Sequence, residues 1–257
     1  MPLPLFALLD RTFAPVPDPR RVDWLAGCTF AHRGLHGPGK AENSPDAFVA
    51  AVERGYGIEL DVQRSMDGQP MVFHDWELER MTAGTGPFAG RSAAQLGGIA
   101  LKGGGGNIPS LTKVLELVGG RVPLLVEVKT RRETRVPPMC LAVRRALEGY
   151  RGPHAVIGFD PRVLRWFARY SPMTVRGLSF TEDSNRSLPG RIKRRLAMWH
   201  ARPHFLTHDI RELPNRFTED QRRRGLKLVS WTIADPESRE RGLEWSDALI
   251  CEGDGFP

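Results

Sequence analysis

The chain has 257 residues, 40% of them hydrophobic and 26% charged, with 37 Lys and Arg against 30 Asp and Glu for a formal charge of +7. That is the mixture of a globular protein and excludes a disordered or fibrous one, while no apolar run approaches the roughly 20 residues that cross a bilayer. Cys28, Cys140 and Cys251 are scattered and free of C-x-x-C spacing, which argues against a disulfide framework and a thiolate zinc site.

Taken in chain order, Met1 to Leu9 is apolar, but it lacks a basic n-region, contains Pro2 and Pro4, and is cut off by Asp10-Arg11. It is read as neither signal peptide nor span, and the protein is expected to be cytoplasmic. Residues 1–27 form a lead-in, extended through Pro15, Pro17 and Pro19. From Cys28 onward, β-rich runs fall near 28–33, 57–62, 70–74, 123–129, 154–159, 174–180, 203–208, 227–233 and 247–251. Helix signals lie between most of them. Ser44-Pro45, Asp160-Pro161 and Asp235-Pro236 offer an N-cap followed by a first-turn proline. Gly55 stops the first of these helices, and Thr218 with Gln221 has capping-box spacing ahead of Gly225.

Alternating strands and helices predict an α/β fold, and about 250 residues is the usual size of a (β/α)8 TIM barrel. Residues 28–257 are assigned to one such barrel. Between Asp61 and Met71 there is no room for a crossover helix, and Asp67-Gly68 signals a tight turn. The barrel is therefore distorted, irregular between its second and third strands. Nine runs compete for eight places, so one of them is expected not to be a strand. The run Gly103–Gly106 reads as a flexible loop, since no strand precedes it and no Lys-Ser/Thr follows.

The segment Gly57-Ile-Glu-Leu-Asp-Val62 is the most informative. Residues two apart in a strand share a face, so Ile58, Leu60 and Val62 face the outer helices while Glu59 and Asp61 face the barrel axis. Leu124-Leu-Val-Glu-Val-Lys129 repeats the pattern with Glu127 and Lys129. Three converging carboxylates need compensation that Lys129 alone does not supply, and a divalent cation with hard oxygen ligands, Mg²⁺ or Ca²⁺, completes it. His32 and His74 each end a β-rich run at the barrel face where active sites lie, and two imidazoles can divide the roles of general base and general acid. His36, His154, His200, His204 and His208 are read as structural, with His208-Asp209 an imitation of His74-Asp75. Arg33 can grip a phosphate or pair with Glu42, and Gly34 permits a sharp turn after it.

In order, the chain carries His-Arg-Gly (32–34), Glu-Asn (42–43), Glu-Leu-Asp-Val (59–62), Asp-Gly-x-Pro-x-Val-Phe-His-Asp (67–75), Pro-Ser-Leu (109–111), Glu-Val-Lys (127–129) and Ser-Trp-Thr-Ile (230–233). This set resembles the glycerophosphodiester phosphodiesterase family, whose fold is a distorted TIM barrel, from about Phe30 to the C-terminus. The resemblance implies metal-dependent hydrolysis of a glycerophosphodiester to glycerol 3-phosphate and an alcohol. It implies that Glu59, Asp61 and Glu127 bind one divalent cation, and that His32 and His74 are the acid–base pair. Arg33 and Lys129 would hold phosphoryl oxygens, and Trp231 would line the pocket. Two departures concern substrate contacts: Gly158-Phe159-Asp160 stands where relatives often have Ser-Phe-Asp, and Ile250-Cys251-Glu252 stands for a motif ending in Thr-Asp. The short stretch between His74 and Pro109 implies an open pocket that admits lysophospholipids as well as small diesters.

Two alternative readings stand beside this one. One is a lysophospholipase D or a lyase that releases a cyclic phosphate. The other is a non-catalytic binder of anionic surfaces using Arg191–Arg195 and Arg222–Arg224. The first of these runs, followed by Leu196, Met198 and Trp199, is read as an ordinary outer barrel helix in preference to an amphipathic one in weak peripheral contact with a membrane. No nucleic-acid partner is expected.

Overall fold

Every β-rich run of the sequence is a strand in the computed structural model, which describes residues 4–181 and 187–257. The strands are β1 (Thr29–Ala31), β2 (Gly57–Arg64), β3 (Pro70–Val72), β4 (Leu124–Val128), β5 (His154–Gly158), β6 (Val175–Phe180), β7 (Phe205–Asp209), β8 (Lys227–Ile233) and β9 (Ala248–Cys251). None of the nine fails, because the surplus one runs the other way. β3 pairs antiparallel with β2, Val62 opposite Val72 and Arg64 opposite Pro70. The turn between them closes through Ser65 and Gly68, whose φ of 90° suits a residue without Cβ. The order β1-β9-β8-β7-β6-β5-β4-β2-β3, with β1 also paired to β2, makes the fold a closed (β/α)8 barrel distorted at its second and third strands.

The chain divides into two compact units, residues 30–154 and residues 1–29 with 155–257. In the first unit β2 lies parallel to both β1 and β4. Helix Pro45–Glu53 starts where the Ser44 side chain accepts from the Ala47 N–H at 3.1 Å, and it ends before Gly55. Residues 73–108 build a small core of their own from Phe73, Leu78, Phe88, Leu96, Leu101 and Ile108. The glycine run is not the loose loop its composition predicts. The carbonyls of Gly104 and Gly105 accept from Ala41 and Asp46, and a Cβ on Gly105 would sit 2.5 Å from the Ser44 hydroxyl. It presents carbonyls to the first turn of a helix, which satisfies donors there and is the wrong polarity for a phosphate cradle.

In the second unit the lead-in is helical over Pro4–Phe13; its residues 1–3 lie outside the described residues. Asp10 on this helix is 2% exposed. It ion-pairs with Arg195 and accepts from Trp199 Nε1 at 2.7 Å and from Gln221 Nε2 at 3.1 Å. The Gln221 oxygen that a capping box would need accepts instead from Arg224 Nη1. Helix Arg216–Arg223 is capped by Asn215, whose side chain accepts from Thr218 N–H at 3.0 Å. Removing one partner of a buried ion pair leaves a charge unbalanced, at a cost of about 3–5 kcal/mol. We therefore expect Asp10→Ala to lose about that much stability in urea denaturation while the activity per folded molecule stays unchanged. No helix among the described residues is long and apolar enough to cross a membrane.

Candidate active site

The alternation of β2 puts Glu59 and Asp61 on one face, and its parallel register with β4 sets Asp61 directly opposite Glu127. One carboxylate oxygen from each of the three lies within 4.8 Å of the others. Glu59 and Asp61 are 3% and 2% exposed, so this charge is held away from water. Burial, reinforced by Asp61, pushes Glu59 up to about 8. Burial likewise raises Glu127. Asp61 goes the other way: against its burial, Lys129 and Arg33 hold it below the usual carboxylate range. Lys129 Nζ sits 3.3 Å from Asp61 and 3.1 Å from Glu127, and Asn43 Nδ2 donates to Asp61 at 2.9 Å.

The chain turns sharply after β1. Arg33 has a φ of 54° and Gly34 one of 82°, and a Cβ on Gly34 would meet Ala47 and Phe48 at 2.9 Å. The turn brings the Arg33 N–H to Glu59 at 3.2 Å and its Nε to Asp61 at 3.3 Å. Its Nη1 also pairs with Glu42 at 2.8 Å, one of the two contacts that the sequence left open. His32, one residue earlier, lies close enough to Glu59 to favour its ionised form.

His74 follows β3. Its Nδ1 bonds Asp75 at 2.7 Å, and burial, outweighing the pull of Asp61, lowers its basicity. Asp75 is itself braced. Arg80 grips it and reaches Glu42 at 2.7 Å and 2.9 Å, tying the His74 loop to the segment beside Arg33. Although partial burial opposes it, the bonds from Arg80 and His74 bring Asp75 to about 2. Gln63 on β2, 2% exposed, donates its side-chain amide to the carbonyls of Phe73, His74 and Asp75 at 3.0, 3.0 and 2.6 Å.

Seven of the eight residues singled out in the sequence thus belong to the unit 30–154: His32, Arg33, Glu59, Asp61, His74, Glu127 and Lys129. Trp231 belongs to the other unit, on β8, edge-on to Phe159 with ring centroids 5.6 Å apart. His208 is fully buried, and Asp209 caps the turn that follows β7, so this dipeptide is structural. Asn43 and Asp75 stand in the quoted motifs without an assigned role, and Gln63 and Arg80 escaped sequence reasoning. Asn43 and Asp75 adjoin recognised residues, but Arg80 pairs with a residue 38 positions away and nothing local marks it.

The family model described as "Glycerophosphoryl diester phosphodiesterase family" matches residues 32–251. A glycerophosphodiester phosphodiesterase of Caldanaerobacter subterraneus subsp. tengcongensis is 32% identical over 234 residues, covering 87% of this chain and 93% of that protein. Among solved structures, an Oleispira antarctica phosphodiesterase in complex with the product sn-glycerol-3-phosphate matches with a TM-score of 0.76 and 23% identity, over 88% of this chain and 93% of that one. A glycerophosphodiester phosphodiesterase from Thermotoga maritima matches with a TM-score of 0.68 and 25% identity, over 87% and 93%. With the family match covering most of its length and a relative about one-third identical along nearly all of it, the chain belongs to the glycerophosphoryl diester phosphodiesterase family.

Proposed function

We propose that the protein hydrolyses glycerophosphodiesters to sn-glycerol 3-phosphate and an alcohol, with His32 and His74 as its acid–base pair and one divalent cation on Glu59, Asp61 and Glu127. The observation that carries this reading is the cluster of three carboxylates, two buried and Glu127 part-buried, with an imidazole beside Glu59 and another beside Asp61. The donor set fits a hard cation such as Mg²⁺ or Ca²⁺: all three ligands are oxygens, and burial raises Glu59 and Glu127 despite the nearby Arg33 and Lys129. When bound, the cation polarises a phosphoryl oxygen and offsets the charge that develops in the transition state.

Arg33 and Lys129 bring fixed positive charge to the same place and hold the non-bridging oxygens. One imidazole takes the proton of the attacking hydroxyl while the other protonates the departing alkoxide. The Asp75 contact at Nδ1 of His74 orients the ring and leaves Nε2 for proton transfer. Trp231 is assigned to the pocket lining, against the glycerol or the alcohol. Residues 28–257 form the catalytic domain, and the lead-in buttresses it through Asp10.

Several members of the basic runs offered for an anionic-surface binder pair with the protein's own acids. Arg195 pairs with Asp10, Arg223 with Glu219 and Asp220, and Arg222 with Asp247. This favours the enzyme.

Purified protein supplied with Mg²⁺ or Ca²⁺ is expected to release sn-glycerol 3-phosphate from glycerophosphocholine or glycerophosphoethanolamine, and EDTA to stop it. A coupled glycerol 3-phosphate assay with phosphorus NMR reads the outcome. Absence of product with either ion would falsify the proposed activity. A cyclic phosphate that persists as the final product would replace hydrolysis by the lyase.

A further inference from the structure

The heads of β6 and β7 carry a buried guanidinium and, beside it, a buried imidazole, and among the described residues no acid pairs with the guanidinium. The parallel register sets Gly177 opposite Phe205, so Arg176 and His204 stand side by side one residue earlier, and the His204 N–H donates to the Arg176 carbonyl at 2.8 Å. Both side chains are more than nine-tenths buried, Arg176 at 8% and His204 at 5% exposed. Arg176 Nε donates to the Arg202 carbonyl at 2.8 Å. Its Nη1 and the Nδ1 of His204 are enclosed and have no hydrogen-bond partner among the described residues.

The surroundings add positive charge. Arg21 and Arg202 are close enough to disfavour the charged form of Arg176, and Arg21 is itself anchored by the carbonyls of Pro172 and Met173 at 2.7 and 2.8 Å. Among the described residues none of the three arginines ion-pairs with a carboxylate. Burial first, then these neighbours, bring Arg176 to about 10, so it stays cationic at neutral pH. Burial and Arg176 push His204 down to about 3, so its ring is neutral and one nitrogen can donate.

An enclosed guanidinium without a counter-charge is strongly unfavourable. A guanidinium fork beside a neutral imidazole donor, ringed by further arginines, is the donor set that suits a multiply charged oxyanion better than a monatomic ion. We propose that Arg176 and His204, supported by Arg21 and Arg202, form a binding site for a phosphoryl dianion at the N-terminal ends of β6 and β7. The ligand is inorganic phosphate or the phosphate end of a monoester. The site uses none of the residues assigned to catalysis and does not depend on the proposed reaction.

The test is isothermal titration of the full chain with inorganic phosphate, with sn-glycerol 3-phosphate, and with chloride at matched ionic strength. Wild type and Arg176→Gln are compared, and the ring nitrogens of His204 are followed by NMR. Saturable phosphate binding that moves the His204 resonances is expected, with affinity about 10- to 100-fold weaker in Arg176→Gln, the worth of hydrogen bonds to a charged group. Tighter binding of the monoester would identify an ester as the ligand, and equal or weaker binding would identify free phosphate; both support the site. A response no greater than that to chloride would overturn it. So would undiminished binding in Arg176→Gln, or His204 resonances that stay still in wild type, a reading that holds even if the variant does not fold.

Discussion

Alanine in place of His74, or of His32, is expected to lower kcat on glycerophosphocholine by about 10²- to 10⁴-fold, the usual worth of a general acid or base. Thermal melts should stay close to wild type, because both side chains are only part-buried. The His74 effect has a graded counterpart. Its ring is held at Nδ1 by Asp75, Asp75 by Arg80, and the loop that carries it by the Gln63 amide. Asp75→Asn and Gln63→Leu keep the imidazole but loosen its aim, so they should lower kcat less than His74→Ala and leave KM nearly unchanged. Full activity in both histidine variants would remove the acid–base assignment.

Saturating Mg²⁺ or Ca²⁺ should raise the melting temperature, and raise it more at pH 8 than at pH 6. In the folded, metal-free protein, burial and then Asp61 lift Glu59 from its ordinary 4.5 to about 8. Between those values the folded chain keeps a proton that the unfolded chain has lost, so stability from this group falls as pH climbs from about 4.5 to about 8. A cation that takes the place of that proton must displace it at low pH and meets an ionised carboxylate at high pH. At 100 times its dissociation constant an ion adds about 2.7 kcal/mol. Asp61→Asn should abolish both the shift and the activity, since Asp61 is the carboxylate of the three whose pKa is lowered, not raised. A melting temperature indifferent to both ions, with activity intact in EDTA, would sink the cation assignment.

What the sequence determined by itself is local and periodic. Alternation in Gly57–Val62 and Leu124–Val128 placed Glu59, Asp61 and Glu127 on inward faces, because a strand's side chains point to opposite sides in turn. Ser44, Asp160 and Asp235 marked helix starts because an N-cap acts within three residues of itself. The short link before Met71 excluded a crossover helix, and β3 is antiparallel as that shortage requires.

Only the tertiary structure decided the rest. Helix Arg216–Arg223 is capped by Asn215 and not by Thr218, while the Gln221 side chain is held by Arg224 and by Asp10, 211 residues away in the chain. The brace from Arg80 to Glu42, the grip of Gln63 on three carbonyls and the unbalanced pair Arg176–His204 likewise join segments distant in sequence. Polar side chains carry no periodic signature of their own. Whether such a group meets water, a partner or an ion depends on which strands lie side by side and what their neighbours bury, and that is settled only when the sheet has formed.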